Sequence, residues 1–232
     1  MALEENQDGV TMKTLKALVT TEKSLENLDG VLSVAKKQKY KLSASLINSY
    51  LYHMNTQSEK SKADFVNRLK GIYTSNFYLK RGKKYEKEVS AGMHKKISEK
   101  INHLPKEVWL NGVLKHPSFI LKLSGKMDAW DPDNGIIYDT KRVDSYYEGK
   151  YDDDVTIQHI LYFYLNKEAK QFIYLVAAGK NDTVDNYVEH VVKRPSEKYI
   201  NKTLLETIVL FINYLKYENL WEVYTTNQKA KY

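Results

Sequence analysis

The segment between residues 118 and 141 constrains the fold more than any other part of the chain. Its stretches 118–123, 126–130 and 136–141 are typical of short strands, and the helical spacing seen elsewhere is absent there. Between the last two stretches lies Asp131-Pro132-Asp133-Asn134-Gly135. Proline presets φ and Asn-Gly accepts positive φ, so this sequence predicts a tight turn. We therefore expect a β-hairpin in the middle of the chain.

Helical spacing precedes and follows this hairpin. The first predicted helix begins at Ser43, a candidate N-cap. Further helices are predicted over about 60–78, 83–103, 153–167 and 196–222, and further strands near 171–178 and 185–193. From residue 41 the order is α-α-α-β-β-β-α-β-β-α, which predicts an α/β fold of the α+β kind with a central mixed sheet flanked by helices. Residues 1–40 are polar with weak helical periodicity. We expect them to form a helical N-terminal extension to one domain over 41–232.

The composition excludes several kinds of site. The chain has 232 residues, of which 42% are hydrophobic and none is cysteine. It can therefore bury a core, but it forms no disulfide, thiolate zinc site, iron–sulfur cluster or cysteine nucleophile. Without a run of about 18 apolar residues or a secretory signal, we expect no membrane contact and a cytoplasmic location. The net charge of +7 is compatible with a polyanionic partner such as nucleic acid.

Two acidic residues and a lysine lie in the predicted hairpin. Asp139 and Lys141 are two positions apart in one strand, so they share a face and Thr140 points away. Asp128 lies in the preceding strand, and the tight turn lets the two carboxylates approach each other. Such a pair suits Mg²⁺ or Mn²⁺, and a lysine beside it can hold an attacking water and stabilise charge at phosphorus. An exposed Asp–Lys ion pair is the alternative, but both aspartates have apolar neighbours, which is unusual for carboxylates without a functional partner.

The same residues carry a resemblance to a known family. Gly125-Lys126-Met127-Asp128, followed by Ile136-Ile137-Tyr138-Asp139-Thr140-Lys141, resembles the G-x-x-D and D/E-x-K core of the PD-(D/E)XK nuclease superfamily. Met127 stands where the family name has proline. The D-x-K element alone would be a weak signal, so the order of further motifs matters.

Three further segments resemble the RecB-like branch of that superfamily. Gln158-His159-Ile160-Leu161-Tyr162 matches its Q-x-x-x-Y motif on the helix after the D-x-K strand. Gly92-Met93-His94, on the preceding predicted helix, resembles the motif whose histidine binds metal in that branch. Leu42-Ser43-Ala44-Ser45-Leu46 is similar to the S-x-S entry helix of these proteins. The resemblance covers residues 42–222 and implies a restriction-endonuclease-like core.

The resemblance implies catalytic and metal-binding roles for the matched residues. The implied catalytic residues are Lys141, Asp128, Asp139, Gln158 and Tyr162, and the implied metal ligands are His94, Asp128, Asp139 and the main-chain carbonyl of Thr140. Gln158 and Tyr162 would position the lysine or the scissile phosphate. Glu86 and Glu88 are alternatives to His94, because some relatives place a glutamate there. The implied cofactor is Mg²⁺ or Mn²⁺, without the iron–sulfur cluster of the CRISPR-adaptation exonucleases, since the four cysteines are absent.

Basic and aromatic residues near these motifs are candidates for DNA binding. They are Lys80, Arg81, Lys83, Lys84, Arg142, Tyr146, Tyr147 and Tyr151. Lysine and arginine would contact phosphates without sequence preference, and the tyrosines would stack on the bases of a single-stranded end. A solvated helix face is the alternative for the lysines, and packing in the core is the alternative for the tyrosines.

These features and the resemblance together imply a metal-dependent DNA nuclease, an exonuclease that acts at a free end in DNA recombination, repair or phage DNA processing. For a phage protein, the location would be the host cytoplasm. A structure-specific endonuclease and a non-cleaving nucleic-acid-binding protein with the same fold are the alternatives. A homo-oligomer, or a partner protein from recombination or replication, is compatible with each of them. The sequence leaves open DNA against RNA and the polarity of digestion.

Overall fold

The computed structural model describes residues 38–72, 77–116 and 119–229. These residues belong to two compact units, each discontinuous in sequence. The first unit contains the described residues up to 72, with 113–116, 119–123 and 202–229, and the second contains 77–112 and 124–201. The predicted extension lies outside the described residues except for 38–40, which begin a strand. The division at residue 40 therefore stays a prediction.

The described residues form seven helices and six strands. In chain order these are β1 (Gln38–Ser43), α1 (Ala44–Thr56), α2 (Glu59–Leu69), α3 (Phe77–Ser90), α4 (Lys95–Ile101), β2 (Lys106–Lys115), β3 (Phe119–Asp131), β4 (Ile136–Val143), α5 (Gln158–Leu165), β5 (Gln171–Ala178), β6 (Asn186–Lys193), α6 (Glu197–Tyr217) and α7 (Trp221–Asn227). The strands form one sheet in the order β1-β3-β4-β5-β6, and β2 also pairs with β3. The β3/β4 and β5/β6 pairs are antiparallel and the β4/β5 pair is parallel. The predicted α/β fold, with a central mixed sheet and flanking helices, is confirmed.

The central hairpin forms where the turn residues predict it. Ala129 pairs with Tyr138 across β3 and β4. In the turn, the Asp131 carboxylate accepts hydrogen bonds from the Asn134 main-chain N–H (3.1 Å) and side-chain amide (2.8 Å), and Gly135 has a φ of +70°. The two short strands expected before the turn are one continuous strand, β3, because its alternate side chains are buried along its whole length.

In the second unit, different elements cover the two faces of β4 and β5. Alternate residues of β5, including Ile173 and Leu175, pack against Tyr85 and Val89 of α3 and against apolar residues of α4. The intervening residues face the other way, where Phe172 contacts the aromatic rings of α5. A parallel strand that is covered on both faces typically consists of a continuous apolar run, and β5 is such a run. The crossover β4–α5–β5 therefore places α5 over the face that carries Asp139.

The helix expected over 83–103 is divided into α3 and α4. Gly92 adopts a φ of +82°, which favours glycine, and its N–H donates to the Val89 carbonyl at 3.0 Å. The Met93 N–H donates to the Glu88 carbonyl at 2.9 Å, so the last turn of α3 ends in a left-handed cap. The Gly92-Met93-His94 segment consequently lies between two helices, and its expected place within one helix is wrong.

Other bounds differ where local capping outweighs apolar periodicity. Ser43 caps α1 as predicted, its hydroxyl accepting from the Leu46 N–H at 3.3 Å. The helix expected over 60–78 ends at Leu69, and the one expected from 153 begins at Gln158. The final helix is divided at Asn219, whose φ is +56°. Strands β1 and β2 were not expected, because their exposed polar residues dilute the apolar pattern.

The first unit has an aromatic core built on α1, α2 and α6. Tyr50, Phe65, Phe211 and Tyr214 are buried, and the rings of Tyr50 and Phe211 lie 5.5 Å apart. In the part of the chain that the structure describes, no helix is both long enough and apolar enough to cross a membrane.

Candidate active site

The predicted carboxylates and lysine come from β3 and β4 and meet the start of α5. Asp139 and Lys141 on β4 both contact the side chain of Gln158, the first residue of α5. The two side chains therefore lie on the same side of β4, as their spacing requires. All the residues of this site belong to the second unit.

Asp139 is a buried carboxylate with two neighbours. It is 2% exposed, and its Oδ1 accepts a hydrogen bond of 2.6 Å from the Gln158 amide. Its Oδ2 forms an ion pair with the Lys141 ammonium. Burial raises the pKa of Asp139 to about 6, helped by the charge of Asp128 and opposed by Lys141 and by the Gln158 hydrogen bond. Asp139 is thus a carboxylate whose ionisation costs free energy.

Lys141 remains protonated in this environment. Its Nζ donates to Gln158 Oε1 at 3.2 Å and lies 5.9 Å from the centre of the Tyr174 ring. Burial lowers the pKa of Lys141, but the negative charges of Asp139 and Asp128 outweigh burial and the pKa is raised. The side chain keeps 31% of its surface exposed, so the ammonium can reach a bound molecule. It can donate a hydrogen bond there, but it is not a base in this state.

Asp128 accepts two hydrogen bonds from Thr140, whereas Asp139 pairs with the Lys141 ammonium. Its Oδ2 accepts from both the main-chain N–H and the hydroxyl of Thr140, each at 2.7 Å. Thr140, expected to point away from the face of Asp139 and Lys141, thus contacts the other carboxylate, Asp128. Near the hairpin turn, Ala129 of β3 pairs with Tyr138 of β4. The Asp128 side chain extends past this pair to the β4 backbone at Thr140. The role of the Thr140 carbonyl as a metal ligand stays a prediction.

Tyr162 explains the glycine that precedes Asp128. The Tyr162 hydroxyl donates to the Lys126 carbonyl at 2.9 Å and accepts from the Lys126 N–H at 3.1 Å. A Cβ at Gly125 would lie 2.1 Å from the Tyr162 ring, so only glycine lets the ring approach. The Gln158 amide lies 3.5 Å from the same hydroxyl. Tyr162 thus fixes the β3 backbone beside Asp128, while Gln158 contacts the lysine directly.

Of the candidates Glu86, Glu88 and His94, Glu86 interacts electrostatically with the site residues Asp128 and Lys141. Partial desolvation and the charge of Asp128 raise the pKa of Glu86, while Lys126 and Lys141 lower it. His94 contacts Glu88 through Nε2 (2.9 Å) and the Tyr187 hydroxyl through Nδ1 (2.7 Å).

Neither of these two contacts of His94 involves Asp128 or Asp139. Of the alternatives left open by the sequence, Glu86 is therefore the one that the structure associates with Asp128. The part of His94 in metal binding stays a prediction.

The donors at the site fit a hard divalent cation. Mg²⁺ binds through one or two carboxylates and keeps several waters. Asp128 and Asp139 supply two carboxylates, and the buried Asp139 Oδ2 faces the Lys141 ammonium, which a cation bound there would have to displace. Among the described residues, no three His, Asp or Glu side chains form a cluster that could hold a metal. A site built from these residues would therefore depend on water, or on a substrate oxygen, for its remaining ligands.

Three residues predicted to bind DNA make contacts within the second unit. Arg81 is 5% exposed and pairs with Asp144 at 2.6 Å. The guanidinium of Arg142 donates to main-chain carbonyls at the end of β5 and in the loop that follows it. Tyr151 is 7% exposed and stacks on Tyr174 with ring centres 4.1 Å apart. Arg81 and Tyr151 are therefore packed in the interior, and DNA contact by these three residues stays a prediction.

The other predicted DNA-binding residues lie nearer the surface. Lys80 and Lys83 are exposed on α3, and Lys84 is exposed but pairs with an aspartate of the β5–β6 loop at 3.0 Å. The Tyr146 hydroxyl shares a hydrogen bond of 3.0 Å with a histidine of β6. Tyr147 is 57% exposed. Lys80, Lys83 and Tyr147 thus keep the exposure that nucleic-acid contact needs.

Comparisons with known proteins find structurally similar proteins but identify no family for this chain. No protein-family model matches the chain, and no curated protein matches it significantly. The crystal structure of SSO0001 shares 19% identity, with a TM-score of 0.48 over 87% of each chain. An alkaline exonuclease from Laribacter hongkongensis, LHK-Exo, shares 17% identity, with a TM-score of 0.43 over 77% of this chain and 93% of that one. The same enzyme in complex with dAMP gives a TM-score of 0.42. At these identities and scores, the similarities carry no argument about activity.

Proposed function

We propose that this chain is a metal-dependent DNA nuclease of the RecB-like branch of the PD-(D/E)XK superfamily, and that it acts as an exonuclease. The observation that carries the proposal is the position of Lys141, whose ammonium contacts both Asp139 and Gln158. Asp128 lies on the neighbouring strand and contributes to the electrostatics of both Asp139 and Lys141. Two carboxylates with a protonated lysine are suited to phosphodiester hydrolysis, in which negative charge increases at phosphorus.

Each side chain has a distinct part in this proposal. Asp128 and Asp139 hold Mg²⁺ or Mn²⁺, which when bound lowers the pKa of a coordinated water and offsets charge on the phosphate. Lys141 donates a hydrogen bond to the attacking water or to a non-bridging phosphate oxygen. Gln158 Oε1 accepts a hydrogen bond from that ammonium and Gln158 Nε2 donates one to Asp139, so Gln158 fixes the two groups relative to each other. Tyr162 keeps the β3 backbone in place beside Asp128.

The preference for an end is inferred from the absence of base-reading elements in the sequence. No helix or strand with a base-reading motif is evident there, so selectivity must come from the shape of the substrate. A free strand end is the simplest shape to select. Lys80, Lys83 and Tyr147 are exposed and would contact phosphates and a frayed base without sequence preference.

The test compares linear and covalently closed circular DNA, each incubated with the protein in Mn²⁺ or in EDTA. We expect linear DNA to be degraded to short products in Mn²⁺ only, with activity that falls steeply as salt rises. Rapid linearisation of the circles would replace the exonuclease by an endonuclease. DNA binding without cleavage under any metal condition would leave a non-cleaving binding protein. A parallel preparation of Asp139→Asn controls for contaminating nucleases.

A further inference from the structure

A chain of hydrogen bonds runs from the exposed Tyr199 to the buried Tyr174, toward the site. The Tyr199 hydroxyl donates to Asp153 Oδ2 at 2.5 Å, and Asp153 Oδ1 lies 2.5 Å from His159 Nε2. On the other side of the imidazole, Nδ1 lies 2.9 Å from the Tyr174 hydroxyl. His159 is 2% exposed and Tyr174 is fully buried. None of these four residues has a part in the chemistry proposed above.

The direction of the hydrogen bonds follows from the charge of Asp153. Burial opposes ionisation of Asp153, but the hydrogen bonds from His159 and Tyr199 outweigh it, and its pKa is lowered. An ionised Asp153 accepts a hydrogen bond from the N–H of His159 Nε2. Nδ1 then accepts from the Tyr174 hydroxyl, so both ring nitrogens have partners. Asp153 therefore fixes both the orientation and the tautomer of His159.

Tyr174 and His159 each lie next to a group that contacts Lys141. Tyr174 pairs with Asp139 in the β4/β5 register, and its ring lies below the Lys141 ammonium at 5.9 Å. His159 follows Gln158 directly in α5. The residue at the N-cap of α5, Ile157, offers no side-chain hydrogen bond to the first turn. The Gln158 N–H donates to Thr156 Oγ1 at 3.3 Å, and the contacts of His159 with a loop and with β5 are a second constraint on how that turn, and with it Gln158, is placed.

We propose that His159, clamped between Asp153 and Tyr174, is a positioning residue that sets Gln158 and the Tyr174 ring against Lys141. The inference deepens the proposed function and rests on it. A catalytic group that is displaced by about 1 Å can cost on the order of 100-fold in rate even when the substrate still binds. Loss of the clamp should therefore lower the turnover number, and it should leave the DNA concentration for half-maximal rate unchanged.

The test uses Asp153→Asn with Asp152→Asn as its matched control, because Asp152 is the exposed neighbouring acid outside the chain of hydrogen bonds. We expect Asp153→Asn to lower kcat about tenfold with KM within about twofold. Asp152→Asn should change neither. Tyr174→Phe, which keeps the ring and removes only the hydroxyl, should lower kcat by a similar factor. The double variant should lose little more than either single variant, since both break the same chain.

The outcomes separate this inference from the proposed function. A wild type that cleaves DNA, with Asp153→Asn at full kcat, overturns the clamp alone. Multiplicative losses in the double variant, or a rise in KM without a fall in kcat, also overturn it. A wild type that cleaves nothing overturns the proposed function and the clamp together.

Two further measurements exclude a purely structural effect. Mn²⁺ binding by calorimetry should match the wild type in Asp153→Asn at a temperature where melting curves show both proteins folded. A crystal structure of that variant should show a lengthened contact between Lys141 Nζ and Gln158 Oε1, which is 3.2 Å in the native protein. An unchanged contact would overturn the clamp.

Discussion

Two buried histidines, one in each unit, are held in similar ways and have different surroundings. In the first unit His53 lies between Ser61 Oγ (3.1 Å) and the Tyr214 hydroxyl (2.7 Å). In the second unit His159 lies between Asp153 and Tyr174. Both imidazoles are thus bonded to a tyrosine and to one other side chain. The difference lies in the surroundings of the two tyrosines, because the one beside His53 belongs to an aromatic core and the one beside His159 lies below a charged lysine.

This difference indicates that a histidine–tyrosine hydrogen bond can stabilise the fold in one place and position a side chain in another. The first unit buries aromatic rings whose polar atoms are satisfied internally. The second unit buries Asp139, whose ionisation is opposed by burial. A protein accepts such a cost mainly where a site requires it. Substitutions in the second unit should therefore act on cleavage and those in the first unit on stability, and the largest effect is expected at Lys141.

Lys141→Ala should reduce cleavage by about 10⁴-fold, because it removes the hydrogen-bond donor and the positive charge beside the phosphate. The fold should survive, since Asp139 can take up a proton and keeps its hydrogen bond to Gln158. Initial rates on linear DNA and melting temperatures measure the two effects. Lys193→Ala, an exposed lysine of β6, is the matched control. Cleavage by Lys141→Ala near the wild-type rate would remove the lysine from its assigned role.

Mn²⁺ should stabilise the folded protein, because it relieves the repulsion between Asp128 and Asp139 and binds the folded chain alone. At 100 times its dissociation constant the gain is about 2.7 kcal/mol. Asp128→Asn should lose most of this gain in a thermal-shift measurement. Asp133→Asn, an exposed change in the hairpin turn, should keep it. Equal shifts for the two variants would place the cation elsewhere.

Tyr214→Phe should destabilise the protein by about 2 kcal/mol, because His53 Nε2 loses its buried partner. The activity of the folded protein should stay unchanged, in contrast to Tyr174→Phe in the second unit. Urea unfolding and initial rates together test both halves of this statement. Tyr217→Phe, an exposed change on the same helix, should have no effect on either. A fall in kcat for Tyr214→Phe would break the contrast between the two histidines.

The pH dependence of stability should carry a contribution from His53. Burial lowers the pKa of His53, helped by Lys62 and opposed by two nearby glutamates. The unfolded chain then binds a proton more readily than the folded one, so the contribution to stability is present above about pH 6.5 and is lost as the pH falls toward the lower folded pKa.

His53→Gln should therefore flatten the decline in unfolding free energy between pH 7 and pH 5. His103→Gln, an exposed change, should leave the decline as it is. Asp139 has the opposite sign, because its raised pKa makes the folded chain take up the proton first as the pH falls below about 6. A steeper decline in His53→Gln would contradict the assignment.

The fold was largely predictable where the local sequence and the packing agree. The bounds expected for β5, 171–178, are those observed, because an uninterrupted apolar run between turn residues has few alternatives. The hairpin followed from Asp131-Pro132-Asp133-Asn134-Gly135, whose side chains make the turn that their types favour. The division of the helix at Gly92 was missed, since apolar residues keep a spacing of four across it.

The site was predictable in its residues and not in its contacts. The spacing of Asp139 and Lys141 placed them together, and both meet Gln158. The choice between Glu86 and His94 could not be made from the sequence, because both positions are close to the same helix end. Arg81 and Tyr151 looked like surface groups, since only the packed structure shows that their side chains are buried. The clamp on His159 joins three distant segments, and no local pattern marks it.

The measurement that tests the central claim most directly is cleavage of end-labelled linear DNA in Mn²⁺ by the wild type and by Asp139→Asn, purified in parallel. Asparagine keeps the size of the side chain and removes the charge that would hold the cation. We predict metal-dependent cleavage by the wild type and none above background by Asp139→Asn, with matching melting curves. Equal cleavage by the two proteins, or cleavage by neither, would contradict the assignment of this site as a nuclease centre.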